Sequence, residues 1–257
     1  MLLFDNAFSP FARKVRLALR AKGLAFESVD ALANDERARL ASVNARVEVP
    51  VLVDGELTIG GSADILAYLE DQYSEPPLLP AEPGARVKAR EWQRLADTVF
   101  DAIVHDVSLW MWPMLRRTDQ PPAGLREAAA ADLGKLYAKL DHAIGAGPFV
   151  FGAAVSIADL ALLPHVSAAK VVGLPFDAAA HPSLARWSKA LRELPFVREE
   201  NVALQASVGR LMADPQRYES TKIVWRGDRL EWLFEKGCFD FWVRELREGR
   251  VIIPSSL

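Results

Sequence analysis

The sequence predicts a small α/β layer followed by an all-helical domain and, past that, an aromatic extension. Three observations carry this reading. Over residues 1–75 short apolar runs alternate with segments of helical period, the pattern of an α/β layer. In Pro76-Pro77-Leu78-Leu79-Pro80 the prolines cannot continue a helix, and Pro83-Gly84 follows closely, so residues 76–83 read as a linker. From 84 to 212 the apolar spacing is almost wholly helical, and residues 213–257 are rich in tryptophan and phenylalanine.

Leu2-Leu3-Phe4 reads as the first strand. Ser9-Pro10 then opens a helix whose apolar face is Phe11, Val15, Ala18 and Leu19 and which stops at Lys22-Gly23. Serine as N-cap, proline at the first helical position and glycine just past the end make a full start and stop signal. Residues 25–29 suit a second strand, and 34–41 a short polar helix beginning at Asn34. Residues 49–53, the turn Asp54-Gly55 and residues 57–59 read as a β-hairpin. Ser62 is the expected cap of a helix with Ile65, Leu66, Tyr68 and Leu69 on its apolar face. The order is β-α-β-α-β-β-α. Beyond the linker, helices are expected at 84–112, 123–145, 156–171 (kinked at Pro164), 182–193 and 196–212. Residues 229–247 read as a helix broken at Gly237. With Trp225, Trp232, Phe234, Phe239, Phe241 and Trp242, the last segment is too aromatic for a disordered tail.

Composition narrows the function classes. With 257 residues, 51% hydrophobic and 25% charged, the chain can bury a real core, which excludes disordered, collagenous and disulfide-stapled classes. The balance of 31 basic against 34 acidic side chains, net −3, offers no cationic surplus to displace counterions, so nucleic acid is not an expected partner. Cys238 is the single cysteine, which excludes an intrachain disulfide and a CxxC redox pair. Met1-Leu2-Leu3-Phe4 meets a charge at Asp5, too soon for a signal core, and no run approaches the ~20 apolar residues of a membrane span. A cytoplasmic protein without a membrane partner is the expectation.

One local signal in the helical domain is sharp. In Val155-Ser156-Ile157-Ala158-Asp159-Leu160, Ser156 and Asp159 have the spacing of a capping box, and Val155 and Leu160 stand at the staple positions. Its work is to start a buried helix rather than to do chemistry.

Taken together, these features resemble a cytosolic glutathione transferase. The residues that carry the resemblance are Ser9-Pro10-Phe11 with Lys14-Val15-Arg16-Leu17-Ala18-Leu19, then Val49-Pro50-Val51-Leu52, the Ser62…Ile65…Tyr68-Leu69 helix, and Gly147-Pro148-Phe149-Val150-Phe151-Gly152 ahead of the capping box. The resemblance spans residues 1 to about 200 and is to the serine type, with a tau-like Ser-Pro-Phe pattern, in a bacterial-looking chain with an extended C-terminus. It implies a thioredoxin-like N-terminal domain, an all-helical C-terminal domain, and glutathione as co-substrate. It also implies a small hydrophobic electrophile as second substrate, and a homodimer formed through the helix after Ser62 and the long helix after the linker.

The same resemblance assigns roles. A free thiol has a pKa near ~8.5, and a helix N-terminus or a hydrogen-bond donor lowers it. Ser9, at the N-cap of the first helix, supplies both, and by resemblance is the catalytic residue that donates to the glutathione sulfur. Read from the residues alone, Ser9 is first of all a plain cap. Serine here, where other members carry cysteine, argues against disulfide exchange. Pro50 matches the family's cis-proline, which would turn the backbone of Val49 towards the cysteinyl part of glutathione as an added strand would. Gly61 and Ser62 match the site of the γ-glutamyl group, Ser62 at a second helix N-terminus suited to a carboxylate; the alternative for Ser62 is again a simple cap. The chain departs from the pattern in four places. Gly61 stands where an acidic residue or glutamine is usual, Glu48 where lysine is frequent, Ala45 in place of the proline after Asn44, and Val47 in place of a glycine. Glu48 sets a carboxylate near the expected glycyl carboxylate, which Arg46 could compensate.

For the second substrate, Phe8, Phe11, His105, Leu109 and Trp112 are the candidates by position, with Trp110-Met111-Trp112-Pro113-Met114 as an apolar stripe. Such stripes also form ordinary core. His105, His142, His165 and His181 are widely spaced, so no metal site is expected. Gly145-Ala146-Gly147 follows a helix and lacks the glycine spacing of a phosphate loop. Cys238 reads as a buried or interface thiol. Two further readings stay open: a glutathione-dependent isomerase or dehalogenase, and a non-catalytic interaction protein of the same fold. Residues 229–247 are expected either to fold back over the cleft, with Trp232 or Trp242 towards it, or simply to cover the helical domain.

Overall fold

The computed structural model describes residues 1–33, 35–112, 117–218, 223–224 and 226–252. Asn34, Pro113, Met114 and Trp225, singled out above, lie outside these described residues.

The N-terminal layer holds β1 (Leu2–Asp5), α1 (Pro10–Ala21), β2 (Glu27–Asp30), α2 (Arg37–Val43), β3 (Val51–Asp54), β4 (Leu57–Gly60) and α3 (Ser62–Gln72). The sheet order is β2-β1-β3-β4, with β1 parallel to β2 and antiparallel to β3, and β3 antiparallel to β4. This is the thioredoxin-like arrangement. Alternation along the strands serves two faces. Leu3 and Leu52 enter the main core with Val15, Ile65 and Leu69, while Phe4 and Val51 pack with Ala31 and Leu40 beneath α2. Several boundaries differ from expectation: α2 runs from Arg37 to Val43 rather than over 34–41, and β3 starts at Val51 rather than at residue 49. β2 begins two residues late because its pairing with Leu2–Asp5 starts at Glu27. Asp54 still pairs with Leu57, so the hairpin turn is Gly55-Glu56, with Gly55 at φ +61°. The cap of α3 is Gly61, at φ +90°, and Ser62 enters the helix as its first residue.

The helical part comprises α4 (Pro83–Leu95), α5 (Asp101–Ser108), α6 (Leu125–Ile144), α7 (Ile157–Val171), α8 (Pro182–Glu193) and α9 (Pro195–Ala213). The expected long helix after the linker is divided: a π-helical turn, Ala96–Phe100, joins α4 to α5, and α5 ends at Ser108. α7 continues through Pro164. The capping box holds from the acidic side. Asp159 Oδ2 accepts from both the N–H and the hydroxyl of Ser156 at 2.8 Å, and Oδ1 accepts from Val150 N and Trp187 Nε1. Burial pushes the Asp159 carboxyl up against these donors. The last segment forms α10 (Gly227–Glu235) and α11 (Phe239–Arg247), broken at Gly237 with φ +76° as the sequence predicted. It adds a short parallel pair, β5 (Ile223–Val224) with β6 (Val251–Ile252), which the sequence reading missed.

α1 is buried on every side, not on one face. Besides Val15, Ala18 and Leu19, it buries Arg13, Lys14 and Arg16. Arg16 reaches Asp5 of β1 at 2.5 Å and Glu200 of α9 at 2.7 Å, and its Nη atoms also donate to the carbonyls of Asn6 and Ala7. Arg13 donates to Asn201 at 2.8 Å, and Arg20 pairs with Glu200 at 3.4 Å. At the other end Lys22 meets Glu70 of α3 at 2.6 Å and the carbonyls of Tyr73 and Pro76, while Glu70 also takes the Leu78 N–H. The helix is thus ion-paired to the sheet, to α3 and to α9. Glu200→Ala, which strands Arg16 beside a single carboxylate, should cost about 3–5 kcal/mol in urea unfolding. Glu199→Ala, at the 63% exposed partner of Arg20, should cost under about 1 kcal/mol.

Candidate functional site

The strand register brings three candidate segments to one end of the sheet. Phe4 pairs with Val51 and Val51 with Gly60, so the loop after β1, the peptide before β3 and the turn after β4 leave the sheet together. The first carries Ser9, the second the cis peptide Val49–Pro50, and the third Gly61 and Ser62.

Ser9 is the N-cap of α1, and its Oγ accepts from Ala12 N at 3.3 Å. That bond uses a lone pair and leaves the hydroxyl proton available to donate. The loop before it is shaped by Asn6, whose Oδ1 takes the Phe8 N–H and whose Nδ2 donates to Asp30. Gly61 N donates to Pro50 O at 3.3 Å, tying the third segment to the second, and Ser62 is buried.

The departures from the family pattern have local answers. Val47 takes φ +54°, a left-handed conformation that glycine adopts without strain. Asn44 supports that bend: its Oδ1 accepts from Arg46 N, and its Nδ2 donates to the Glu48 carbonyl at 2.9 Å. Glu48 is gripped by Arg46 through two bonds, 2.9 and 3.0 Å, so its charge is balanced two residues away.

Beyond Ser9 the first loop and α1 face the helical part. Phe8 stands between Trp112, 5.5 Å away, and Tyr218, 6.0 Å away. Tyr218 in turn bonds Asp30. Phe11 meets His165 of α7 edge-on at 6.0 Å and carries the Arg226 guanidinium 4.5 Å above its ring. Of the expected pocket residues, Phe8 and Trp112 are thus together and Phe11 is nearby. Leu109 belongs to the main core, and Trp110 packs on Phe241 of α11 instead.

The C-terminal segment folds back on this region, but Trp232 and Trp242 are engaged elsewhere. Trp232 turns its indole N–H to Asp132 of α6, and Trp242 is buried beside Phe241. The side chain set on Phe11 is Arg226. α10 lies along α5 and the π-helical turn, where Arg229 Nε meets Asp101 at 2.9 Å, and Glu245 of α11 pairs with Arg117 at 3.1 Å. Cys238 is buried at the start of α11, and burial pushes its thiol up.

A polar cluster that sequence reasoning missed lies beside Phe11: Lys14, Asp97, Asp101, His165 and Arg226, with His105. The Lys14 ammonium is fully buried and paired with Asp97. Burial opposes ionisation of Asp101, yet Arg229 and its cationic neighbours hold it at about 2. Burial lowers His105 to about 3 and His165 to about 4, so both rings are neutral near pH 7. The Nε2 atoms of both are buried without a hydrogen-bond partner. One signal was available: Asp97, Asp101 and His105 recur every four residues, a polar stripe along one side of the helix. The π-helical turn that carries Asp97 was not legible. Among the described residues no group of three or more His, Cys, Asp or Glu side chains is placed to hold a metal ion, and no helix is long and apolar enough to cross a membrane.

Comparison with known proteins agrees with this fold. Residues 3–77 match the family model of the glutathione S-transferase N-terminal domain, and residues 123–190 that of the C-terminal domain. Glutathione S-transferase Z2 of Arabidopsis thaliana is 32% identical over 199 residues, covering 75% of this chain and 86% of its own. Maleylacetoacetate isomerase of Pseudomonas aeruginosa is 30% identical over 80% of this chain and 97% of its own. A glutathione S-transferase of Methylobacterium radiotolerans, solved in complex with glutathione sulfonate, superposes with a TM-score of 0.65 at 28% identity, over 77% of this chain and 93% of that one. The chain belongs to the glutathione S-transferase family.

The buried neutral imidazole makes stability depend on pH. His165 has a folded-state pKa of about 4, below its ordinary value, so its contribution is complete above about pH 6.5 and is lost as pH falls towards 4. Between pH 7 and pH 5 the folded state should lose about 2 kcal/mol from this ring, read by urea unfolding at each pH. His105, held at about 3 by burial, adds a loss of similar size over the same window, so His165→Asn should remove about half of the slope.

Proposed function

We propose that this protein is a serine-type glutathione transferase: it binds glutathione at the end of the sheet, holds its sulfur as thiolate, and adds it to an electrophile with an apolar body. The observation that carries this reading is Ser9, a hydroxyl at the N-terminus of α1, on the end of the sheet shared by the cis Val49–Pro50 peptide and the Gly61-Ser62 turn. The thiolate would accept from Ser9 Oγ and lie at the positive end of α1. The Val49 backbone would pair with the cysteinyl unit as an added strand. The γ-glutamyl carboxylate would lie at the N-terminus of α3, beside Gly61 and Ser62. The electrophile would lie against Phe8, Phe11 and Trp112, with His105 at its edge. The Ser-Pro-Phe run supports the tau-like variant of this chemistry.

Glutathione-assisted isomerisation is the second reading, supported by the 30% identical maleylacetoacetate isomerase. Such a reaction would use the same thiolate and return it. Of the two departures behind a non-catalytic reading, Glu48 is balanced by Arg46, while Gly61 still stands where an acidic residue or glutamine is usual. Calorimetry with glutathione tests the binding step directly, and absence of heat at millimolar ligand would overturn it. Ser9→Ala should reduce turnover of a chloronitrobenzene by about tenfold or more, as for loss of one positioned donor to an anion. Stability should fall by only the ~1 kcal/mol of a lost cap. Unchanged turnover would leave Ser9 a cap and nothing else.

We also infer a cytoplasmic homodimer. A cleft of about 220 Å³ lies between α3 and α4, lined by Ala63, Leu66, Ala67, Leu79, Arg90 and Ile157. Ala63 and Ala67 leave it open to a second chain, and a two-fold pairing is the commonest closed assembly. Light scattering at micromolar concentration should give twice the chain mass; a monomer refutes the assembly.

A further inference from the structure

We propose that Tyr218, in the segment after α9, is a positioning residue for Ser9: its hydroxyl holds Asp30, and Asp30 holds the Asn6 side chain that shapes the loop carrying the Ser9 hydroxyl. The inference rests on the transferase reading for what Ser9 does, and assigns part of its aim to the C-terminal end of the chain.

The loop is a turn built on Asn6, a buried residue. The Asn6 carbonyl accepts from Ser9 N at 3.1 Å, which closes residues 6–9, and Asn6 Oδ1 accepts from Phe8 N at 3.1 Å. Ser9 leaves the turn at φ −72°, ψ 120° and caps α1. Arg16 supports the turn from the inside, donating to the carbonyls of Asn6 and Ala7 at 3.3 and 3.2 Å. An asparagine amide can sit either way round, and only one orientation offers an acceptor to Phe8 N. Asp30 decides which. Its ionised carboxylate accepts and cannot donate, so it takes Asn6 Nδ2, at 3.1 Å, and leaves Oδ1 facing the turn.

Asp30 is itself held from the other side. Its Oδ1 serves Asn6, and its Oδ2 accepts from the Tyr218 hydroxyl, with Arg217 Nε 3.7 Å away. The Asp30 side chain is 29% exposed, so without Tyr218 water competes for the same oxygens. Burial and the Asp30 carboxylate push the Tyr218 hydroxyl above its ordinary pKa, which keeps it a donor through the neutral range.

Tyr218 also touches the turn directly. Its ring meets Phe8 edge-on at 6.0 Å, while Trp112 lies 5.5 Å from the same phenyl ring. Phe8 is thus fixed by its N–H through Asn6 and by its ring through Tyr218. Two routes from one tyrosine converge on the residue next to Ser9. Tyr218 ends the short turn Pro215–Tyr218, outside the residues matched by the family models, so this support belongs to the chain's own extension.

The test uses the full chain with glutathione bound and follows the ultraviolet absorbance of the bound thiolate against pH. Tyr218→Phe keeps the ring on Phe8 and removes only the hydroxyl. It should raise the ionisation midpoint of the bound thiol by about half a unit or more, because a less well aimed donor favours the anion less. Calorimetric affinity for glutathione, measured on the acid side of the midpoint, should stay within about twofold, which also shows that the variant is folded. Asp30→Asn, which offers one acceptor oxygen where the carboxylate offers two, should raise the midpoint in the same way. The two changes together should do no more than the larger one alone, as a relay requires. A tyrosine that serves stability alone would lower the urea midpoint and leave the thiol midpoint in place; that result overturns the proposal, as does a double variant whose effect is the sum of the two. If the unaltered chain does not ionise bound glutathione, or Ser9→Ala leaves the midpoint unmoved, the transferase reading falls and this proposal with it. If Ser9→Ala moves the midpoint and neither Tyr218→Phe nor Asp30→Asn does, the proposal alone falls.

Discussion

The pairing of Arg16 with Asp5 and Glu200 sets the position of α1, and the rest of the molecule is arranged around that helix. Its N-terminus offers Ser9, its flank offers Phe11 and Lys14, and its far end grips the linker through Lys22. A helix wrapped by a sheet, α3, α7 and α9 has no solvent face on which to place charge. Each cation on it must then find a carboxylate or carbonyl, because an unpaired buried charge costs several kcal/mol. Asp5 comes from the sheet and Glu200 from α9, so the same bonds that make burial tolerable also hold the thioredoxin-like layer to the helical part. That rigidity suits the role proposed for the Ser9 hydroxyl.

Around this fixed helix the two halves of the site are built by different means. The sheet end is a backbone construction: a cis peptide, a left-handed Val47 held by Asn44, and a glycine at φ +90° that starts α3. Little of it depends on large side chains. The cleft side is built from side chains brought from far apart in sequence, namely Phe8 and Phe11, Asp97 on a π-helical turn, His165, Tyr218 and Arg226. π-Helical turns widen a helix locally and are frequent at functional sites. Here the turn carries Asp97 to Lys14.

The C-terminal segment closes this arrangement. Its fastenings include Tyr218 to Asp30 on β2, Arg229 to Asp101 on α5, and Glu245 to Arg117. A segment tied at so many places is part of the fold rather than an appendage, and it donates the cation that covers Phe11. Trp232 and Trp242, large enough to suggest a lid, anchor the segment instead, because a buried indole N–H seeks an acceptor and Asp132 supplies one for Trp232.

Several features were legible in the sequence because they depend on neighbours a few residues apart. The Ser9-Pro10 cap, the hairpin, the Ser156–Asp159 box and the break at Gly237 are local, and their chemistry is complete within a helical turn or a tight bend. The order of elements followed from apolar periodicity for the same reason. What only the tertiary structure decided is where charge could be buried. Nothing near Arg16 in sequence announces Glu200, and nothing near Lys14 announces Asp97. The placement of Gly61 rather than Ser62 at the cap of α3 followed from the bend that joins the chain to Pro50. The character of the cleft belongs to the same category. Phe11, His165 and Arg226 lie far apart along the chain, and their meeting is fixed by long-range packing, which no local propensity encodes.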